Sequence, residues 1–219
     1  MTDKPTLPLP IVVLISGSGT NLQAIIDYVQ SSELPVTIRA VISNRADAKG
    51  IERAQKAHIP VEVVNHNNFP DRDSFDKELM KTIDQYQPKL VVLAGFMRVL
   101  TDDFVNHYHG RMMNIHPSLL PKYRGLNTHH RVLEAGEKEH GASVQFVTAE
   151  LDAGPVIVQS KVPVLEDDTP ELLAERVHKE EHQIYPLAIL WFAEGKLKLQ
   201  DNKVVFNGHV LEKPITPDA

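Results

Sequence analysis

The densest run of reactive side chains in this 219-residue sequence is Met113-Asn114-Ile115-His116-Pro117-Ser118-Leu119-Leu120-Pro121-Lys122-Tyr123-Arg124-Gly125. Asn114 and His116 stand two apart at the end of an apolar run, so on a strand their side chains point the same way. An amide beside an imidazole is a donor pair suited to a developing oxyanion. A polar strand end closed by a proline turn explains the same spacing equally well. Asp152 lies in Glu150-Leu151-Asp152-Ala153-Gly154-Pro155, where it could serve only as a turn former. If that loop folds over the strand ends, its carboxylate instead orients His116 or favours its charged form.

A second candidate is Ser16-Gly17-Ser18-Gly19-Thr20-Asn21, between a β-branched run and an amphipathic stretch. A helix opening there offers an anion free backbone N–H groups and the positive end of the dipole, and glycine lets a phosphate come close. A tight turn with a helix cap is the plainer reading. The G-x-G-x-x-G fingerprint is incomplete because Leu22 holds its last glycine position. Asn44 and Arg45 follow the second strand, where an NAD site would place an acid. No Gly-Lys-Ser/Thr follows the loop, so a small phosphomonoester suits it better than a nucleoside triphosphate. His178-Lys179-Glu180-Glu181-His182 matches the His-x-x-Glu-His pattern of one zinc-protease group. It lacks a third ligand in a supporting context, and a solvated or substrate-facing helix edge accounts for it; no metal is expected.

These residues need a scaffold, and the hydrophobic pattern supplies one. Strand-like runs at 11–15, 36–42, 61–64 and 90–94 alternate with helix-like runs at 21–30, 46–57 and 71–86. That alternation predicts a doubly wound α/β fold with a mostly parallel sheet and helices on both faces. In the second half, a strand at 112–115 leads into a Pro-rich loop and a helix at 128–135. Strands at 142–148 and 156–162 are close enough in sequence to form an antiparallel hairpin. A long helix follows, capped by Thr169, opened by Pro170, bent at Pro186 and stopped near Gly195. The tail, 198–210, reads as a small hairpin turned at Asp201-Asn202. Residues 1–10 read as a flexible leader and 11–219 as a single domain with two functional halves.

Composition narrows the function. Lys plus Arg total 23 against 29 Asp plus Glu, a net charge of −6 that weighs against a protein gripping nucleic-acid backbones. The absence of cysteine excludes disulfides, thiolate metal sites and thiol nucleophiles. Any metal or proton-transfer chemistry must therefore draw on carboxylates and the 11 histidines. No stretch has the length of a secretory signal or a membrane span, so a cytoplasmic location is expected, with no membrane partner.

With these motifs assembled, the sequence resembles the folate-dependent formyltransferase superfamily, and within it the branch that formylates phosphoribosylglycinamide. The resemblance runs from Ile11 to about Gly195. Its marks are the Ser16-to-Asn21 loop, Leu93-Ala94-Gly95-Phe96-Met97-Arg98, the Asn114-to-Pro121 block, Leu151-Asp152-Ala153-Gly154-Pro155 and Glu181-His182-Gln183-Ile184-Tyr185-Pro186. It implies a Rossmann-like fold that moves the formyl group of 10-formyltetrahydrofolate to the glycine amine of 5-phosphoribosylglycinamide in purine biosynthesis, with small-molecule partners and no metal. It makes Asn114, His116 and Asp152 catalytic. Gly19, Thr20 and Asn21 would hold the phosphate, while His178 and Glu181 face the ribonucleotide. The folate would be held by Arg72, by Met97, Arg98, Val99 and Leu100, by Asn114, and by Thr148, Ala149, Glu150, Leu151 and Asp152.

Three positions depart from the pattern: His178 stands where glutamine is common, Asn127 where histidine is expected, and Arg124 where proline is familiar. Methionyl-tRNA formyltransferases share the chemistry but carry a further C-terminal domain. Formyltetrahydrofolate hydrolases share the core but add a regulatory domain and pass the formyl group to water. A non-catalytic sensor on the same scaffold would have no need of Asn114, His116 and Asp152 together.

Overall fold

The computed structural model describes residues 8–217. Its centre is β1 (Leu9–Ile15), whose residues from Ile11 onward are completely buried. Such a strand needs neighbours on both edges and a helix layer on each face. β2 (Val36–Ser43), β3 (Val61–Val63), β4 (Leu90–Leu93) and β5 (Met112–His116) complete the parallel part. β6 (Glu139–Phe146) runs antiparallel to β5, and β7 (Val156–Pro163) antiparallel to β6, as their short connection predicts. The sheet order is β3-β2-β1-β4-β5-β6-β7. Chain order reverses between β1 and β4, which opens a crevice beyond the carboxyl ends of those two strands.

The helices divide between two apolar clusters. Ile11, Val13 and Ile15 pack against Leu22, Ile25 and Ile26 of α1 (Thr20–Gln30) and Val177, Ile184 and Tyr185 of α6 (Pro170–Ala193). α2 (Gly50–Lys56) and α5 (Thr128–Glu134) add Ala54 and Val132 to that side. On the opposite face, Val12 and Leu14 pack against Phe75, Leu79 and Ile83 of α3 (Arg72–Asp84) and Phe104 of α4 (Asp102–His107). Strand residues of alternate parity thus feed the two clusters, as the pleat requires.

Several boundaries differ from the sequence expectations. β1 begins at Leu9, inside the expected leader; residues 1–7 of that leader lie outside the described residues. α2 starts at Gly50 rather than 46, because Ala46 and Asp47 form a turn. α4 was not anticipated: it has six residues and buries only Phe104 and Val105, too short a stretch to show helical periodicity. α6 continues as a helix through Pro186.

The tail forms β8 (Leu197–Gln200), β9 (Lys203–Phe206) and β10 (His209–Val210), a separate three-stranded antiparallel sheet. Asp201 and Asn202 make the expected turn with φ of 50° and 56°, and Asn207-Gly208 make a second that adds β10. Among the described residues no helix is long and apolar enough to cross a membrane.

Candidate active site

The β5–β6 register sets Asn114 opposite Gln145 and His116 opposite Ser143. Alternation puts all four polar side chains on one face at the carboxyl end of β5. Two loops close over that face. From the first, the Tyr123 carbonyl accepts a hydrogen bond from His116 Nε2 at 2.9 Å. From the second, Asp152 Oδ2 comes within 3.4 Å of His116 Nδ1, and both side chains are only 7% exposed. Both ring nitrogens thus lie near loop oxygens, Nε2 in a hydrogen bond and Nδ1 in a looser contact with the Asp152 carboxylate. Low exposure strengthens the attraction between ring and carboxylate relative to a surface pair.

Asp152 is held by more than His116. It adopts a left-handed backbone conformation, with φ of 49°. Gly125 N–H donates to its Oδ2 at 2.9 Å and Gln145 Nε2 to its Oδ1 at 3.2 Å. Outside this cluster, Arg124 Nη1 donates to Glu150 Oε1 at 2.6 Å, joining the two covering loops. Asn127 has φ of 56° just before α5 and makes no capping bond with its side chain. A short polar side chain tolerates that conformation.

The second half of the site is the start of α1. Gly19 has φ of +70°, and a Cβ there would lie 2.5 Å from Gly50 Cα, so both backbone conformation and space demand glycine. Arg53 Nε donates to the Ser18 carbonyl at 2.8 Å and tethers the loop. Asn21 Nδ2 donates to Glu181 Oε2 at 3.0 Å. Burial raises the pKa of the Glu181 carboxyl above its ordinary value. A cavity of about 480 Å³ opens at this helix start and brings together Gly19, Thr20, Asn21, Met97, Arg98, His178 and Glu181. Ile115 and Pro117 also line it, so His116 borders the cavity without lining it, and neither Asn114 nor Asp152 lines it. A larger cavity of about 660 Å³ beside Leu34, Lys161 and Leu190 contains none of the expected site residues.

The remaining expected residues are more dispersed. Arg72 is the exposed first residue of α3. Met97, Val99 and Leu151 present exposed apolar side chains, whereas Leu100 is buried. Thr148, Ala149 and Glu150 lie on the loop that carries Asp152, with the Thr148 hydroxyl donating to the Glu150 carbonyl at 3.4 Å. Sequence reasoning missed the roles of Gln145 and the Tyr123 carbonyl. Each partner is seven residues away, but strand register and loop closure bring the pair together, so no local motif marks it.

Three further histidines form a chain of ring contacts with His178. The ring nitrogens His129 Nδ1 and His140 Nε2 share a hydrogen bond at 3.0 Å. Burial lowers both pKa values to about 4, so the pair is neutral near pH 7. His129 meets the ring of His178 edge-on at 6.4 Å, and His178 lies parallel to His182 at 6.4 Å. Among the described residues, no group of three or more potential metal ligands is placed to hold an ion.

The formyl transferase family profile matches residues 9–189. The chain belongs to the formyl transferase family. It is 55% identical over 201 residues to the phosphoribosylglycinamide formyltransferase of Escherichia coli (strain K12), covering 92% of this chain and 95% of that one. The phosphoribosylglycinamide formyltransferase structure from Coxiella burnetii superposes with a TM-score of 0.92 at 59% identity, over 95% of this chain and 99% of that one. A formyltetrahydrofolate deformylase structure from Pseudomonas syringae pv. tomato gives a TM-score of 0.83 at 28% identity, over 90% of this chain and 65% of that one.

In this formyl transferase, the cavity and the polar strand face are adjacent, sharing the end of β5. One offers backbone donors at a helix start and the other offers an amide, an imidazole and a carboxylate. Together they can hold an anionic substrate and stabilise charge on an oxygen brought to the strand end.

Proposed function

We propose that this formyl transferase carries the formyl group of 10-formyltetrahydrofolate to the glycine amine of 5-phosphoribosylglycinamide. The products are formylglycinamide ribonucleotide and tetrahydrofolate, and the reaction belongs to purine biosynthesis. The observation that carries this reading is the buried His116–Asp152 pair at 3.4 Å, on the strand end that carries Asn114 and beside a glycine-opened helix start.

Gly19, Thr20 and Asn21 hold the substrate phosphate through backbone N–H groups and the helix dipole. His178 and Glu181 face the ribonucleotide. Arg72, the segment from Met97 to Leu100 and the loop from Thr148 to Asp152 hold the formyl donor. Asn21 and Arg98 line the same cavity, and each has a buried polar atom without a partner, Asn21 Oδ1 and Arg98 Nε, which suits polar ligands.

As the amine adds to the formyl carbon, negative charge gathers on the formyl oxygen. The Asn114 amide donates a hydrogen bond to it, and His116 does so by turning one ring N–H from its loop acceptor, Tyr123 or Asp152, to the formyl oxygen. Asp152 holds the ring and stabilises its positive charge, and helps move a proton, directly or through water, from the attacking amine to the departing folate nitrogen. The new C–N bond forms first, giving a tetrahedral adduct; on its collapse the bond to the folate nitrogen breaks and that nitrogen takes up the proton lost by the amine. Losing one oxyanion donor in such a site costs about 3–4 kcal/mol. The chain from Leu9 onward acts as one cytoplasmic domain with two functional halves, and no step requires a metal.

The test is to offer one formyl donor with three acceptors: phosphoribosylglycinamide, methionyl-tRNA or water. Rapid release of tetrahydrofolate with the ribonucleotide alone is expected. Equal release without it would move the protein to the hydrolase reading.

A further inference from the structure

The segment from Met97 to Leu100 connects β4 to α4 and is anchored by a buried polar side chain at each end. At its start, Met97 N–H donates to Ser16 Oγ at 2.8 Å, and Ser16 donates onward to Asn44 Oδ1 at 2.6 Å. At its end, Thr101 N–H donates to Asp76 Oδ2 at 2.6 Å.

Asp76 is the unusual member. It lies in α3 among the apolar residues Phe75, Leu79 and Ile83 and is 1% exposed. A buried carboxylate is unfavourable unless it is paired or hydrogen-bonded. Its Oδ1 has no partner, and neither does Arg98 Nε, although the Arg98 guanidinium lies 5.7 Å over the ring of Phe75, next to Asp76 in sequence. Burial raises the Asp76 pKa, with the charges of Arg72 and Arg98 acting in the opposite direction. Capping α4 does not explain Asp76, because the Thr101 hydroxyl already accepts from Phe104 N–H at 3.3 Å.

We propose that Asp76 is a positioning residue for the formyl-donor site: it fixes the backbone from Met97 to Thr101. This inference rests on the reading of that segment as the donor site. Met97 and Val99 expose apolar side chains on a stretch with no regular structure. A loop tied at Ser16 alone must be ordered when the donor binds, and that ordering weakens binding. Asp76 orders it beforehand. Its loss therefore falls on the donor's KM and leaves the chemical step largely intact.

The experiment compares the full-length Asp76→Ala, Asp76→Asn and Arg98→Ala variants with the unaltered enzyme. It measures KM for both substrates, kcat, and amide hydrogen exchange over residues 97–104. Asp76→Ala is expected to raise the donor KM about tenfold or more, as for loss of a hydrogen bond to a charged group. The ribonucleotide KM and kcat should stay within about threefold, and exchange over 97–104 should accelerate. Asp76→Asn keeps an acceptor for Thr101 but loses the charge, and should fall between. An unchanged donor KM, or a parallel rise in both KM values with falling kcat, overturns the proposal. If Asp76→Ala does not fold, an unaltered donor KM in Asp76→Asn overturns it. A raised donor KM in Arg98→Ala with none in the Asp76 variants overturns this proposal alone. An unaltered donor KM in Arg98→Ala removes the donor-site reading and this proposal with it.

Discussion

The amide of Gln145 donates from Nε2 to Asp152 Oδ1 at 3.2 Å, so the carboxylate that faces His116 is braced from the strand beside it. Gln145 is itself the cross-strand neighbour of Asn114, and its Oε1 is buried without a partner. Replacing Gln145 with Leu keeps most of the volume and removes the brace. We expect kcat to fall about tenfold with little change in either KM, as for a lost hydrogen bond to a charged group. Steady-state kinetics on the folded variant decide this, and an unchanged kcat would show that Asp152 is held well enough without Gln145.

His116→Ala should lower formyl transfer about 100- to 1,000-fold, the usual loss for a missing oxyanion donor. Asp152→Asn should lower it about 100- to 10,000-fold if it contributes to proton transfer. Both are read by turnover assays on variants whose circular dichroism matches the parent. Near-normal turnover in either removes that residue from the reaction.

Gly19→Ala tests the helix start. A left-handed backbone costs a non-glycine residue roughly 1–2 kcal/mol, and the added methyl collides with Gly50 Cα at 2.5 Å. The expected result is a lower melting temperature and a raised ribonucleotide KM, with the donor KM little altered. An unchanged ribonucleotide KM would detach this loop from phosphate binding.

The His129–His140 pair predicts a pH dependence of stability. Burial holds both folded-state pKa values near 4, below the ordinary 6.5. Between those values the unfolded chain binds more protons than the folded one, so stability rises with pH. The pair's contribution is therefore complete above about pH 6.5 and is lost as pH falls toward 4. Melting temperatures measured across that range should drop for the parent and drop less steeply for His140→Gln. Identical acid limbs would show that other groups control acid unfolding.

Local pattern was sufficient for the scaffold. The runs that became β1 and β4 are almost wholly apolar because both faces of the sheet are covered, while β2 turns apolar only after Arg39 and β5 ends on the polar Asn114 and His116. α6 announced itself through Thr169 and Pro170, whose cap and first-turn roles are local. α4 was illegible because a helix of six residues buries too little to leave a period. The second tail turn at Asn207-Gly208 was overlooked, although both residues adopt the left-handed conformation that such pairs favour.

By itself, the sequence determined the alternating sheet-and-helix scaffold, the glycine-opened helix start and the same-side placement of Asn114 and His116. All of these follow from steric preferences and hydrophobic period within a short span. Only the tertiary structure decided that Asp152 reaches His116, that Gln145 braces Asp152, that Asp76 meets Thr101 and that His129 pairs with His140. Those contacts join residues on different elements. Strand register, loop closure and the packing of helices on the sheet set their distances, and no periodicity in the chain encodes them.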